Sequence, residues 1–303
     1  GWQEQLKEKN TFLLGIYKYK DTIIYCNFDK TNFIKRITNN SSAHVSTFDL
    51  LKASEDGVFE KKDIRGNIIT AIRRDCLKKF LEDKIENKDT LSPEIRLFEN
   101  FKNTLSDKYH GIECYSEMIK ENYRNKFQPE WAGFFLEFKF ENFLEEKPGN
   151  KKICCYQANK KKDGIDLDLN FHNSFYGDLK AHSNGTGSIL GNDKKNIEKA
   201  LNEFSKIWYI VFNHDTEKDS QYNYDVTLFW NTSQNKPNLM SYADKMKNNI
   251  TFTDFKILEI NHYNKTYLSD FNQGRNSNGR EREVKIKINQ KVINNFLIYQ
   301  SKF

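Results

Sequence analysis

The chain is poor in the features that would tie it to a special environment. Cysteines number five in 303 residues, an odd count, and Cys26, Cys76, Cys114, Cys154 and Cys155 show no paired ligand spacing, which excludes a disulfide-built scaffold and a cysteine zinc site. Cys154 and Cys155 are adjacent in a predicted strand, point to opposite faces and read as packing residues. No apolar run approaches the roughly 18–20 residues of a membrane-spanning helix, and the first residues carry no signal-peptide pattern. A reducing, cytoplasmic setting without a membrane partner is therefore expected, and the abundance of Lys, Asn, Ile, Tyr and Phe fits an AT-rich bacterial genome. Asn-X-Ser/Thr triplets such as Asn40-Ser41-Ser42 are then incidental. Internal repeats and low-complexity stretches are missing too, which excludes solenoids and Pro/Gly-rich linkers. Charge of one sign is in small excess only: 48 Lys+Arg against 42 Asp+Glu, net +6, compatible with a nucleic-acid partner without requiring one.

What is there is a paired acid and lysine pattern. In Asp163-Gly164-Ile165-Asp166-Leu167-Asp168-Leu169, the aliphatic residues and Phe171 alternate with Asp166, Asp168 and Asn170. In Tyr176-Gly177-Asp178-Leu179-Lys180-Ala181, the alternation puts Asp178 and Lys180 on one side. A strand has a side-chain period of two, so each segment presents its charges on one face and apolar residues on the other. His172-Asn173-Ser174 between them is short and polar enough for a turn. The pair is expected to be a β-hairpin on which carboxylates and an ammonium converge. Carboxylate oxygens are the ligands that Mg²⁺ prefers, and a bound cation can neutralise charge on a phosphorane-like transition state. A solvated hairpin face with an Asp–Lys pair is the plain alternative.

The flanks add context. Phe127 to Glu145 predicts a helix with Trp131, Phe134, Phe135, Phe138 and Leu144 near helical spacing, opening after Gln128-Pro129-Glu130. Asn192 to Lys206 predicts a second amphipathic helix with Ile197, Leu201 and Phe204 inward. Ile207 to Phe212 reads as a buried central strand and Tyr224 to Trp230 as another strand, with Lys152 to Tyr156 as a first strand ahead of the hairpin. Asp166 followed by Asp178-Leu179-Lys180, set in this order of elements, resembles the PD-(D/E)XK nuclease superfamily over roughly residues 127–230, with Ile165 where many members have proline.

That resemblance implies an α-β-β-β-α-β core, a mixed sheet flanked by helices. It implies that Asp166 and Asp178 hold Mg²⁺, which Mn²⁺ can replace, with the Leu179 carbonyl as a third ligand. Lys180 would activate the water, and Glu137, on the helix before the hairpin, would assist. Asp166 has the spacing and the Gly-X-Asp setting of other members; Asp168 competes because a tight turn would bring it nearer to Asp178.

Two domains are expected. Residues 1–92 would form a smaller α+β domain for DNA recognition or dimerisation, ending at the polar stretch Glu86 to Pro93, and residues 93–303 the catalytic domain with a basic C-terminal extension. Phe12 to Tyr19 and Thr22 to Cys26 predict a strand pair, and Ser46 or Thr47 caps a helix over Thr47 to Ala53. Candidate DNA contacts are Arg73 and Arg74 at a strand-to-helix passage, Asn40 and Ser41 in a polar stretch, Ser183 and Asn184 after the second hairpin strand, and Arg275 and Arg280 in an Asn/Gly/Arg-rich loop. Size, core and extra domain together resemble a type II restriction endonuclease acting as a homodimer on double-stranded DNA, since a palindromic site calls for two-fold symmetry. The alternatives are a nuclease toxin or modification-dependent nuclease with the same core, and a DNA-binding protein whose hairpin acids are structural.

Overall fold

A computed structural model describes residues 11–30, 44–62, 67–85, 91–157, 165–172, 174–234, 242–275, 279 and 281–303. The chain divides into two compact units, Gly1–Ser92 with Asn294–Gln300 and Pro93–Ile293 with Ser301–Phe303. The architecture is mixed α+β, as expected, with one large mixed sheet flanked by helices and two smaller sheets.

In the first unit β1 (Leu13–Tyr19) and β2 (Thr22–Phe28) form the predicted hairpin. With β3 (Val58–Lys62) and β4 (Ile68–Arg73) they make an antiparallel sheet in the order β1-β2-β4-β3. Helix α1 (Thr47–Asp56) starts at Ser46 with a reciprocal capping box: Asp49 N–H donates to Ser46 Oγ at 3.2 Å and Ser46 N–H to Asp49 Oδ2 at 2.8 Å. Its buried Ala53 and the buried Ile24, Ala71 and Ile72 of the sheet belong to the unit's core. A short 3₁₀ turn, Arg74–Cys76, leads from β4 into α2 (Leu77–Ile85).

The second unit opens with α3 (Pro93–Lys102), β5 (Lys108–His110), α4 (Gly111–Lys120) and α5 (Trp131–Glu146). It continues with β6 (Cys155–Tyr156), β7 (Leu169–Asn170), β8 (Tyr176–Ser183), β9 (Ser188–Asp193), α6 (Lys194–Glu203) and β10 (Lys206–Lys218). After α7 (Asp225–Ser233) come β11 (Lys247–Asn261), β12 (Ser269–Phe271) and β13 (Lys285–Asn289); the last strand, β14 (Leu297–Lys302), begins in the Asn294–Gln300 stretch assigned to the first unit and ends in the second. The seven-stranded sheet runs β14-β11-β10-β8-β7-β6, with β5 paired on β11, and β12-β13-β9 form a three-stranded sheet. β10 lies between β11, antiparallel, and β8, parallel. Its continuous apolar run is explained by that central place: Ile207, Tyr209, Ile210, Val211 and Phe212 have no exposed surface. The core is aromatic, with Phe98 stacked on Phe140 at 5.4 Å and Phe212 on Phe255 at 5.2 Å. Phe101 joins them edge-on, 4.9 Å from Phe140 and 5.5 Å from Phe212.

Several expected elements differ. Tyr224 to Trp230 is helical, not a strand: Val226, Thr227, Trp230 and Asn231 are buried while Leu228 is 53 % exposed, a helical rather than two-residue period. The first turn is held by the buried Asp219 carboxylate, which accepts from the amides of Val226 at 3.2 Å and Thr227 at 2.8 Å. Nothing in a seven-residue apolar run announces a cap that comes from a preceding turn. Asn192 and Asp193 belong to β9, so α6 begins later than expected and ends before Phe204. Only Cys155 and Tyr156 of the expected first strand are extended in a ladder, because Asn150–Lys152 coil into a 3₁₀ turn.

Candidate active site

The hairpin is real but its ladder is short. β7 and β8 pair Leu169 with Gly177 and Asn170 with Tyr176. Between them His172 has a left-handed φ of 52°, and the Phe171 and Ser174 amides donate to the carbonyls of Phe175 and Phe171, each at 3.1 Å. The ladder ends at Leu169 and Gly177; the same register continued by one step puts Asp168 opposite Asp178. Gly177 is required here, because a Cβ would lie 2.8 Å from the Trp208 carbonyl of β10.

Asp178 is 4 % exposed, and its Oδ2 lies 2.6 Å from Lys180 Nζ, whose side chain keeps 26 % exposure. Lys180 projects over the Tyr209 ring, 5.7 Å from its centre. The Tyr156 hydroxyl stands between two further acids: it donates to Asp168 Oδ2 at 3.4 Å and is hydrogen-bonded to Glu137 of α5. Burial, together with the charges of Asp178 and Asp168, pushes the Glu137 carboxyl up to about 7 against the pull of Tyr156 and Arg124. Burial draws the Lys180 ammonium down, yet Asp178, Glu137 and Asp168 outweigh it and the net shift is upward. Lys180 is thus a protonated cation inside a ring of acids.

Asp166 occupies a neighbouring position. Its carbonyl accepts from Asn192 Nδ2 at 2.7 Å, and its charge is felt at Tyr209. Asn192 and Tyr209 bond reciprocally, the hydroxyl donating to Asn192 Oδ1 and accepting from the Asn192 amide, each at 3.0 Å. Of Asp166 and Asp168, it is the Asp168 charge that, with that of Asp178, bears on both Glu137 and Lys180. Among the described residues no three carboxylates, imidazoles or thiols converge as a metal site. The donor set still suits a hard divalent cation, since Asp168, Asp178 and Glu137 offer only carboxylate oxygens.

The other predicted residues are spread out. Ser183 and Asn184 lie at the far end of β8, Ser183 Oγ 2.8 Å from Thr216 Oγ1 and Asn184 Nδ2 donating to Asp215 Oδ1 at 2.8 Å. Arg275 is exposed and 3.8 Å from Glu281. In the first unit the Arg73 guanidinium donates to Asp75 and to the Ser54 carbonyl at the end of α1, at 2.7 and 2.9 Å, so it ties the sheet to the helix; Arg74 begins the adjoining turn. Asn40, Ser41 and Arg280 lie outside the described residues. Tyr156, Tyr209 and Asn192 were not foreseen as parts of the site. Tyrosines in apolar strands read as core, and only the register shows which hydroxyls face acids.

Residues 1–81 match a family model described as "Methylase-associated X1" (MTaX1). That description points to a restriction–modification setting and covers the N-terminal region, not the hairpin. No curated protein and no solved structure matches the chain. Among the described residues no helix is long and apolar enough to cross a membrane.

Proposed function

We propose that the protein is a Mg²⁺-dependent endonuclease of the PD-(D/E)XK type, cutting double-stranded DNA at a specific short sequence within a restriction–modification system. The observation that carries this reading is the meeting of Asp168, Asp178, Lys180 and Glu137 at one hairpin. Three carboxylates around one ammonium is an arrangement with little structural merit, since like charges in a partly buried place repel. Helix α5 is followed by β6, β7 and β8 of the large sheet, then by β9, which joins the three-stranded sheet, then by α6 and β10; β6, β7, β8 and β10 share the large sheet with β8 parallel to β10, which supports the same core with one inserted strand. The methylase-associated description of residues 1–81 supports the setting.

In this reading the Lys180 ammonium orients the attacking water and offsets negative charge gathering on the phosphate oxygens. Asp178 fixes Lys180, and Tyr156 holds Asp168 and Glu137 in place. A divalent cation bound by Asp168 and Asp178 would supply further charge neutralisation and a more acidic water. The water oxygen bonds to phosphorus and the bond to the 3′ oxygen breaks, leaving a 5′-phosphate and a 3′-hydroxyl. The N-terminal unit serves recognition or dimerisation, and a homodimer matches a palindromic site.

Incubation of the purified protein with unmethylated and methylated phage DNA, with Mg²⁺ or EDTA, tests the proposal. Discrete fragments that need Mg²⁺ and fail on the methylated substrate are expected. A smear would indicate a nonspecific, toxin-like nuclease, and cutting of methylated DNA alone a modification-dependent one. Binding without cutting under every metal condition would sink the enzymatic reading.

A further inference from the structure

A second cation stands beside the acids and has no part in the scheme above. Arg124 lies on the connection between α4 and α5. Its guanidinium is 4.6 Å from the centre of the Tyr123 ring and 5.6 Å from that of Tyr156, the tyrosine that bonds Asp168. Its Nη2 lies 2.6 Å from Glu141 Oε1, which also accepts from the Tyr123 hydroxyl at 3.1 Å. Glu141 is one helical turn from Glu137 on α5, and the Arg124 charge is felt at Glu137. The side chain retains 29 % exposure and its partner 32 %, so the pair is open to solvent on one side.

We infer that Arg124 is a substrate-binding residue that holds a DNA phosphate next to the scissile one. This rests on the nuclease reading for the place of the scissile phosphate, at Asp178 and Lys180. A polyanion arriving there meets Glu137, Asp168, Asp178 and Glu141; Lys180 and the proposed divalent cation serve the scissile phosphate, and Arg124, beside Glu141, is placed to serve its neighbour. A guanidinium whose plane is set by two aromatic faces is preorganised for bidentate phosphate binding, as a lysine is not. Glu141 holds the guanidinium in the absence of DNA, and the half-exposed pair lets it turn to a phosphate without burying a charge.

The test is the affinity for a DNA duplex by fluorescence anisotropy, with Ca²⁺ in place of Mg²⁺, across a series of salt concentrations. Arg124→Gln is expected to weaken binding about tenfold at low salt and to lower the slope of log affinity against log salt by about one, the loss of one phosphate contact. Arg124→Lys should restore the slope but not the full affinity. Glu141→Gln, which releases Arg124 from its ion pair, should tighten binding, and it carries the test should Arg124→Gln fail to fold. An unchanged slope in Arg124→Gln, unchanged affinity in Glu141→Gln, or no DNA binding by the wild type would overturn the inference. Cleavage by the wild type with Mg²⁺, measured alongside, separates the two ideas: an inactive wild type whose slope still depends on Arg124 defeats the nuclease reading and leaves the phosphate contact.

Discussion

Two buried aspartates of the second unit, Asp219 and Asp178, are held in opposite ways. Asp219 has no exposed surface, and its carboxylate accepts from four neutral donors, the Val226 and Thr227 amides, the Thr227 hydroxyl at 2.6 Å and Asn248 Nδ2 at 2.9 Å, with Asp225 as a further neighbour. Burial pushes that carboxyl up, but the Thr227 and Asn248 donors prevail and hold it below the usual range. Asp178, at 4 % exposure, has instead a neighbouring ammonium and the acids Asp168 and Glu137, and burial together with the charges of Asp178 and Asp168 raises the pKa of Glu137. The first site is complete within the fold. The second gathers several like charges around one ammonium, the kind of perturbed cluster on which the proposed function rests.

The largest expected effect is on catalysis. Asp178→Ala or Lys180→Ala should reduce DNA cleavage by about a thousandfold or more while specific binding persists; full activity in either variant would exclude the site. Asp178→Asn, which keeps the shape and removes one of the crowded charges, should leave thermal stability unchanged or raise it. At Asp219 the pattern should invert. Asp219→Ala strips several donors of their acceptor and is expected to cost about 2–4 kcal/mol in urea unfolding, with cleavage by the folded fraction intact. A loss of cleavage without a loss of stability there would break the comparison.

Next in size is the contrast between Asp168 and Asp166. Asp168→Asn should lower cleavage roughly tenfold to a hundredfold more than Asp166→Asn, a difference of about 1.4–2.8 kcal/mol, because the Asp168 charge bears on Glu137 and Lys180 whereas that of Asp166 bears on Tyr209. The reverse order would return the first ligand position to Asp166. The smallest effect concerns pH. Glu137 has a folded pKa near 7, above that of an unfolded glutamate, so the folded state binds the extra proton and stability falls as pH rises from about 4.3 to 7. Glu137→Gln should therefore stabilise the protein by roughly 1–2 kcal/mol above pH 7 and make no difference at pH 4. Melting temperatures across pH 4–8 would reveal it, and equal stabilisation at both ends would contradict the electrostatic account.

Local chemistry made part of this legible in advance. The period of two in β8, the capping box at Ser46, the apolar run of β10 and the aromatic helix α5 each follow from interactions within a few residues of the chain. Their kinds follow from these local patterns and their bounds less closely: β10 runs to Lys218, well past the apolar run Ile207–Phe212, and α1 runs to Asp56, past Ala53. The helix α7 was misread because its hydrophobic spacing is short and its cap, Asp219, comes from a separate turn.

By itself the sequence determined that acids and a lysine alternate with apolar residues in two adjoining segments, and hence that they share a face wherever those segments are extended. Only the tertiary structure decided that Asp168 stands across from Asp178, that Glu137 comes up from α5 to meet them, and that Tyr156 and Arg124 border the cluster. Periodicity acts along one chain direction, whereas register, burial and the proximity of charges depend on which elements pack together.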